Sequence, residues 1–223
     1  MATLAERYAV VTQDVATAAR DAGRDPAEIT TVVVTKFHPA SLVRELASVG
    51  ARDMGENRHQ EAAAKTAELR DLDLRWHFVG QLQANKAAAA LEYASVIHSV
   101  DRGSLVGAIE KTGKPVGVFL QLNLTDDPQR GGVAADGLEQ LAERVLRAQS
   151  LELLGLMAVA PLGAEPRAAF ARVREASDRL RSLAPTATHL SMGMSGDFRE
   201  AIAEGATHLR IGTAITGNRP PPS

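Results

Sequence analysis

Cysteine is absent from the 223 residues. That removes disulfides, thiolate nucleophiles, CxxC redox motifs and cysteine-ligated zinc together, and it points to a reducing compartment. Aromatic residues are scarce, at 4% against 45% hydrophobic residues overall, so the expected core is mostly aliphatic. A basic excess is missing too: 25 Lys and Arg stand against 27 Asp and Glu, for a formal net charge of −2. With no basic run or stripe, a nucleic-acid partner is not expected. No apolar run approaches a membrane span, and Met1-Ala2-Thr3-Leu4-Ala5 lacks a signal-peptide core. A cytoplasmic protein without a membrane partner is expected. The histidines His38, His59, His77, His98, His189 and His208 show no metal-ligand spacing.

What is present is a repeated alternation of two periodicities. Leu4, Tyr8, Val11, Val15 and Ala18 fall on one helical face. Residues 29–35 then form a β-branched, nearly all-apolar run, the pattern of a strand buried on both faces in a parallel sheet. Further strand patterns lie at 52–54, 76–79, 96–99, 116–123, 153–157, 188–191 and 208–211. Helical patterns lie between and after them at 41–49, 57–69, 82–93, 104–111, 138–149, 167–183 and 198–204. Strands alternating with helices imply βαβ units and a parallel sheet. Eight such units predict a single (β/α)8 TIM barrel over residues 1–223, with an open doubly wound sheet as the structural rival. The Pro-rich tail at 218–223 is expected to fray.

In a parallel barrel the site lies at the C-terminal ends of the strands, so the polar residues following each strand carry the functional reading. Lys36 follows the first strand. A lysine at the mouth of an aliphatic strand is partly desolvated, which lowers its pKa as a Schiff-base lysine requires; the plain alternative is a solvated lysine. Lys65, Lys86, Lys111 and Lys114 read as helical or loop-exposed. Glu56 and Asn57 follow the second strand. Residues 191–197, SMGMSGD, form a Gly-rich turn before a helix, able to hold a phosphate through backbone N–H groups. Ser195 or Asp197 serves equally well as a helix cap. Gly212 and Thr213 make a second small turn after strand eight, where barrels often build a phosphate site. Arg210, inside the last strand, either pairs with a carboxylate or faces the mouth as a donor to a ligand.

Taken in order, VVTK at 33–36, MGEN at 54–57, WHFVGQLQANK at 76–86, GLM at 155–157, LSMGMS at 190–195 and RIGTAI at 210–215 resemble the pyridoxal phosphate homeostasis proteins of the YggS/PROSC type. They also resemble the N-terminal barrel of alanine racemase and the fold-type III decarboxylases. The resemblance implies that Lys36 forms an aldimine with pyridoxal 5′-phosphate (PLP). It implies that Ser191, the Met192 backbone, Gly212 and Thr213 hold the phosphate, that Arg210 faces the pyridine nitrogen, and that Asn57 lies near the ring. Two positions depart from the family pattern. His38 stands where a second lysine is common, and Gln129-Arg130-Gly131 stands where the loop after strand five often carries one.

Three functions are open on this reading. The first is a PLP carrier serving PLP and amino-acid homeostasis without turnover of its own, a monomer with apo-PLP enzymes as partners. The second is a PLP-dependent amino-acid racemase, which needs a base on each face of the substrate. Its second base is a tyrosine from an added domain in racemases of the related fold, whereas Tyr8 and Tyr93 lie on helical patterns and the chain stops after the barrel. The third is a barrel for another phosphorylated metabolite, which does not need Lys36.

Overall fold

The β-branched run after Pro26 builds the first strand of a closed barrel. The computed structural model describes residues 2–125, 127 and 130–218; Gln129 and the tail residues 219–223 lie outside the described residues. The strands β1 (Thr30–Val34), β2 (Asp53–Glu56), β3 (Arg75–Phe78), β4 (Val96–Val100), β5 (Val116–Gln121), β6 (Leu151–Met157), β7 (His189–Ser191) and β8 (His208–Ile211) follow one another around the ring in chain order. Each neighbouring pair is parallel, and the ring closes with Val32 opposite Arg210 and Val33 opposite Ile211. This is the (β/α)8 barrel, and its closure disposes of the open sheet.

Helices α1 (Leu4–Asp21), α2 (Ala40–Ser48), α3 (His59–Glu68), α4 (Ala87–Ala90), α5 (Gly103–Glu110), α6 (Leu138–Arg147), α7 (Pro166–Leu183), α8 (Phe198–Ala203) and α9 (Thr213–Thr216) alternate with the strands. Local chemistry sets their starts. The Thr3 hydroxyl accepts the Glu6 N–H at 3.2 Å while the Glu6 carboxylate accepts the Thr3 N–H at 2.8 Å, a capping box for α1. The Glu165 carboxylate accepts N–H groups from Arg167 and Ala168, with Pro166 as the first helical residue of α7. Apolar stripes then turn the helices inward, as Leu138, Leu141, Ala142 and Val145 do on α6. Between strands and helices lies an aliphatic layer in which Leu46, Ile97, Leu105, Ile109, Leu120 and Leu156 are fully buried. Each such side chain contributes about 1.5–3 kcal/mol.

The lumen differs from the aliphatic core expected. Side chains alternate across a strand, so His77 points away from its neighbours Trp76 and Phe78. The rings of His77, His98, His189, His208 and Phe119 gather inside the barrel, with centroids of contacting pairs 4.6–6.4 Å apart.

Three segments depart from their sequence patterns. β2 runs on to Glu56, which is therefore a strand residue rather than a loop residue. The helix expected over 82–93 is a 3-10 turn, Ala84–Lys86, followed by the single turn of α4. Its alanines have helix propensity but no long apolar stripe to hold further turns. Gly212 and Thr213 do not form a free turn: Gly212 caps α9 and Thr213 begins it.

Candidate functional site at the barrel mouth

Register brings the candidate residues to one end of the barrel. Val34 lies opposite Gly55, and a Cβ built on Gly212 would lie 3.6 Å from Val34. Lys36 and Asn57 each follow that level by two residues, just past the ends of β1 and β2. Lys36 is exposed, so the partial desolvation expected of it is not present; its Nζ lies 5.8 Å from the Phe37 ring. Phe37 has φ of 68°, an uncommon value for a non-glycine residue. Its N–H donates to Glu61 Oε2 at 3.3 Å, and the Arg58 guanidinium lies 4.9 Å from its ring.

Behind this turn is a cluster that the sequence reading missed. Lys65, expected to be exposed, is buried between α3 and β2. Its ammonium donates to Glu56 Oε1 and, at 2.8 Å, to the carbonyl of Thr35. The Thr35 hydroxyl donates to the same Glu56 oxygen at 2.6 Å. Glu56 is wholly buried, so a compensating cation is required. The signal was available in the spacing: a strand extended to residue 56 puts Glu56 on the outward face with Met54, toward α3.

Asn57 is half-buried, and its Oδ1 is buried without a hydrogen-bond partner among the described residues. Gly80 fixes its backbone, because a Cβ there would sit 2.4 Å from the Asn57 carbonyl oxygen. Arg210 is 5% exposed. It donates to Ser191 O at 2.6 Å, Ser191 Oγ at 2.7 Å and Ala158 O at 2.8 Å, so its acceptors are carbonyls and a hydroxyl rather than a carboxylate. Burial lowers its pKa to about 10, against the opposing pull of Asp197, and it stays cationic at neutral pH.

Two of the residues assigned to the phosphate have partners within the protein. Ser191 is fully buried, and its hydroxyl lies between Arg210 Nη1 and His98 Nδ1, the latter at 2.8 Å. The Met192 N–H donates to His208 O at 3.1 Å. Both groups are already engaged inside the barrel. In the turn just beyond them, Ser195 Oγ accepts the Ala214 N–H at 3.4 Å, which draws the turn after β7 against the start of α9. Thr213 is exposed there and Gly212 partly so. Asp197 Oδ1 accepts the Met194 N–H at 2.6 Å and closes the turn. Among the histidines, no group of three or more metal-ligating side chains is found among the described residues. His38, at the position of a common family lysine, has its pKa lowered by burial and then by the charges of Lys65 and Arg7.

The family model for the alanine racemase N-terminal domain matches residues 9–220. The Pseudomonas aeruginosa pyridoxal phosphate homeostasis protein is 44% identical over 226 residues, covering 98% of this chain and 97% of that protein. The chain belongs to the pyridoxal phosphate homeostasis protein family. The Escherichia coli member is 35% identical, with 98% of each chain covered. PipY of Synechococcus elongatus, solved with PLP bound, superposes with a TM-score of 0.85 at 39% identity, covering 96% of this chain and all of that one. Alanine racemase of Corynebacterium glutamicum shares the fold, at a TM-score of 0.71 and 16% identity over 60% of its length.

Proposed function

We propose that this chain binds PLP at the barrel mouth, as one domain, and serves PLP and amino-acid homeostasis without a turnover reaction of its own. The observation that carries the reading is an accessible lysine, Lys36, at the mouth of a barrel whose curated relatives are pyridoxal phosphate homeostasis proteins and whose structural neighbour PipY is solved with PLP. The residues present fit the group: an amine, an unpartnered buried amide oxygen on Asn57, a buried guanidinium, and two small turns drawn together by Ser195. PLP, when bound, supplies an aldehyde reactive toward amines and an electron-withdrawing ring.

The chain's own residues then divide the work. Lys36 is the nucleophilic amine, held by a turn that Lys65 and Glu61 anchor to α3. Gly212, Thr213 and the Ser195 turn hold the phosphate in this reading, with Ser191 and the Met192 backbone, whose groups already have partners, behind them. Arg210 offers only donors, so a ring nitrogen beside it stays unprotonated. That weakens the ring as an electron sink and suits holding the cofactor better than stabilising a carbanion.

A racemase would need a second base. Tyr8 lies on α1, and the Tyr93 hydroxyl lies 3.5 Å from His59 Nδ1 between α3 and α4, so both are outside the lumen. The reading includes a cytoplasmic monomer that serves apo-PLP enzymes. No helix among the described residues is long and apolar enough to cross a membrane. Absorbance titration with PLP tests the reading. Wild type is expected to develop a saturable visible band that Lys36→Ala loses, with no D-alanine formed from L-alanine. Equal PLP binding by Lys36→Ala, or steady D-alanine production, overturns it.

A further inference from the structure

Four contacts run end to end through the lumen. Arg210 Nη1 lies 2.7 Å from Ser191 Oγ. Ser191 Oγ lies 2.8 Å from His98 Nδ1. His98 Nε2 lies 2.9 Å from His77 Nδ1, and His77 Nε2 lies 2.9 Å from Asp53 Oδ1. Arg210, Ser191, His98 and His77 are buried, and only Asp53, at the start of β2 on the barrel floor, reaches water with a 20% exposed side chain. The chain therefore joins the floor to the residue assigned to the cofactor ring.

Donor chemistry gives this chain a direction. An arginine only donates, so Ser191 Oγ accepts from Arg210. The serine hydrogen then has His98 Nδ1 as its acceptor. Neutral His98 consequently carries its hydrogen on Nε2 and donates to His77 Nδ1. His77 in turn carries its hydrogen on Nε2 and donates to Asp53. Every group in the line is satisfied, and both imidazoles are neutral.

The reverse order is worse on two counts. It needs a proton more between His77 and Asp53, as a His77 imidazolium against the carboxylate or a protonated Asp53, with His98 protonated on Nδ1. Ser191 Oγ would then face two donors and its own buried hydrogen would lose its acceptor, at a cost of about 1–3 kcal/mol. Its imidazolium form would also place a second cation in a lumen that already holds Arg210. Other charged or titratable groups near the chain include Arg75, 3.5 Å from Asp53, Tyr8 and Arg52 on the same side, Asp197 near Arg210, and the rings of His208 and His189. Phe119 stacks on His98 at 4.6 Å.

We propose that the lumen holds one polarised hydrogen-bond chain, Arg210 to Ser191 to His98 to His77 to Asp53, in which Asp53 is the positioning residue. Its carboxylate accepts only, so it fixes both imidazole tautomers, turns the Ser191 hydroxyl away from the mouth and holds Arg210 in place. The effect on a bound cofactor rests on the PLP reading above; the chain itself does not.

Nitrogen-15 NMR of histidine-labelled full-length protein, without added PLP at neutral pH, tests the direction. His77 and His98 are expected as neutral rings protonated on Nε2. A His77 imidazolium, or His98 protonated on Nδ1, overturns the proposal. Asp53→Asn keeps the size but adds a donor, so the chain can run either way. A minor second set of His98 resonances is expected in that variant, up to roughly 15% of the total, because the reverse order still strands the Ser191 hydrogen at about 1 kcal/mol or more, whereas the exposed-surface variant Arg44→Ala leaves the wild-type set unchanged. A single unchanged set in Asp53→Asn overturns the role of Asp53. With PLP loaded, the visible band of Asp53→Asn is expected to shift from that of wild type. An unshifted band limits the chain to the apo-protein and overturns its reach to the cofactor. Failure of wild type to bind PLP, with the NMR result as expected, refutes the PLP reading alone.

Discussion

Lys65 donates to the carbonyl of Thr35 across 2.8 Å, so a cation on α3 grips the backbone one residue before Lys36. The same ammonium neutralises Glu56, and the Thr35 hydroxyl closes the triangle. The outer face of β1 and β2 thereby sets the path of the turn that presents the amine at the mouth.

Removing that cation leaves a buried carboxylate alone. Lys65→Met is expected to lower unfolding free energy by about 3–5 kcal/mol, read by urea denaturation. Lys65→Met with Glu56→Met should recover most of that loss. The double variant still lacks the Thr35 contact, so its PLP affinity is expected to fall up to about tenfold, the equivalent of one hydrogen bond. Wild-type affinity in the double variant would show that the turn does not depend on Lys65.

The lumen histidines make stability depend on pH. Burial, then the charges of His77, Arg210 and His208, hold His98 well below its ordinary value of 6.5. Burial, then His77 and His189, bring His208 to about 3. The unfolded chain takes up protons below about 6.5 while these folded rings stay neutral, so stability is full above that pH and falls as pH drops toward the folded values. Each ring contributes a slope of up to about 1.4 kcal/mol per pH unit. Urea denaturation at pH 7.5 and 5.5 should show the loss, and His208→Asn should flatten it by roughly half of the two-ring effect. A flat profile in wild type would contradict the burial of neutral imidazoles.

Gly80 is a steric requirement of the site. A methyl group there meets the Asn57 carbonyl at 2.4 Å. Gly80→Ala is expected to cost about 1–3 kcal/mol and to weaken PLP binding through displacement of Asn57. Thermal melting and PLP titration check both. An unaffected variant would mean that the two loops separate freely.

Arg210 ties three acceptors, two on Ser191 of β7 and one on Ala158 just past β6, to β8. Arg210→Met strands the Ala158 carbonyl at about 1–3 kcal/mol and takes one partner from each Ser191 oxygen, which keep the Ala158 N–H and His98, whereas Arg210→Lys keeps a charge and part of the bonding. Urea denaturation is expected to order the stabilities as wild type, then lysine, then methionine. Methionine matching wild type would contradict the inward geometry.

Much of this fold is legible in the sequence, because its periodicities are undisturbed. The β-branched run at Thr31 to Val34 and the apolar stripe of α6 each specify one element type. The segment after β3 is not legible, since Ala87 to Ala90 give propensity without a face that fixes where the helix stops. Lys36 and Asn57 become candidates by asking what lies at the strand ends, and Arg210 by asking why a guanidinium sits inside a strand. Lys65 is missed because its partner Glu56 lies nine residues away across a strand–helix contact, and no single-element period reveals that. The partners of Ser191 and Met192 are not legible either: the Ser191 hydroxyl at the end of β7 meets His98 and Arg210, and the Met192 N–H just past it meets the His208 carbonyl, across other strands of the barrel. Alternation within Trp76-His77-Phe78 and His208-Leu209-Arg210 does carry the lumen chain, once inward and outward faces are separated.

The identity of the reactive amine is the central claim, and borohydride reduction followed by peptide mapping tests it most directly. Protein incubated with PLP and reduced should carry the phosphopyridoxyl label on Lys36, and Lys36→Ala should carry none. A label on Lys65 or Lys86, or full labelling of Lys36→Ala, would contradict the account.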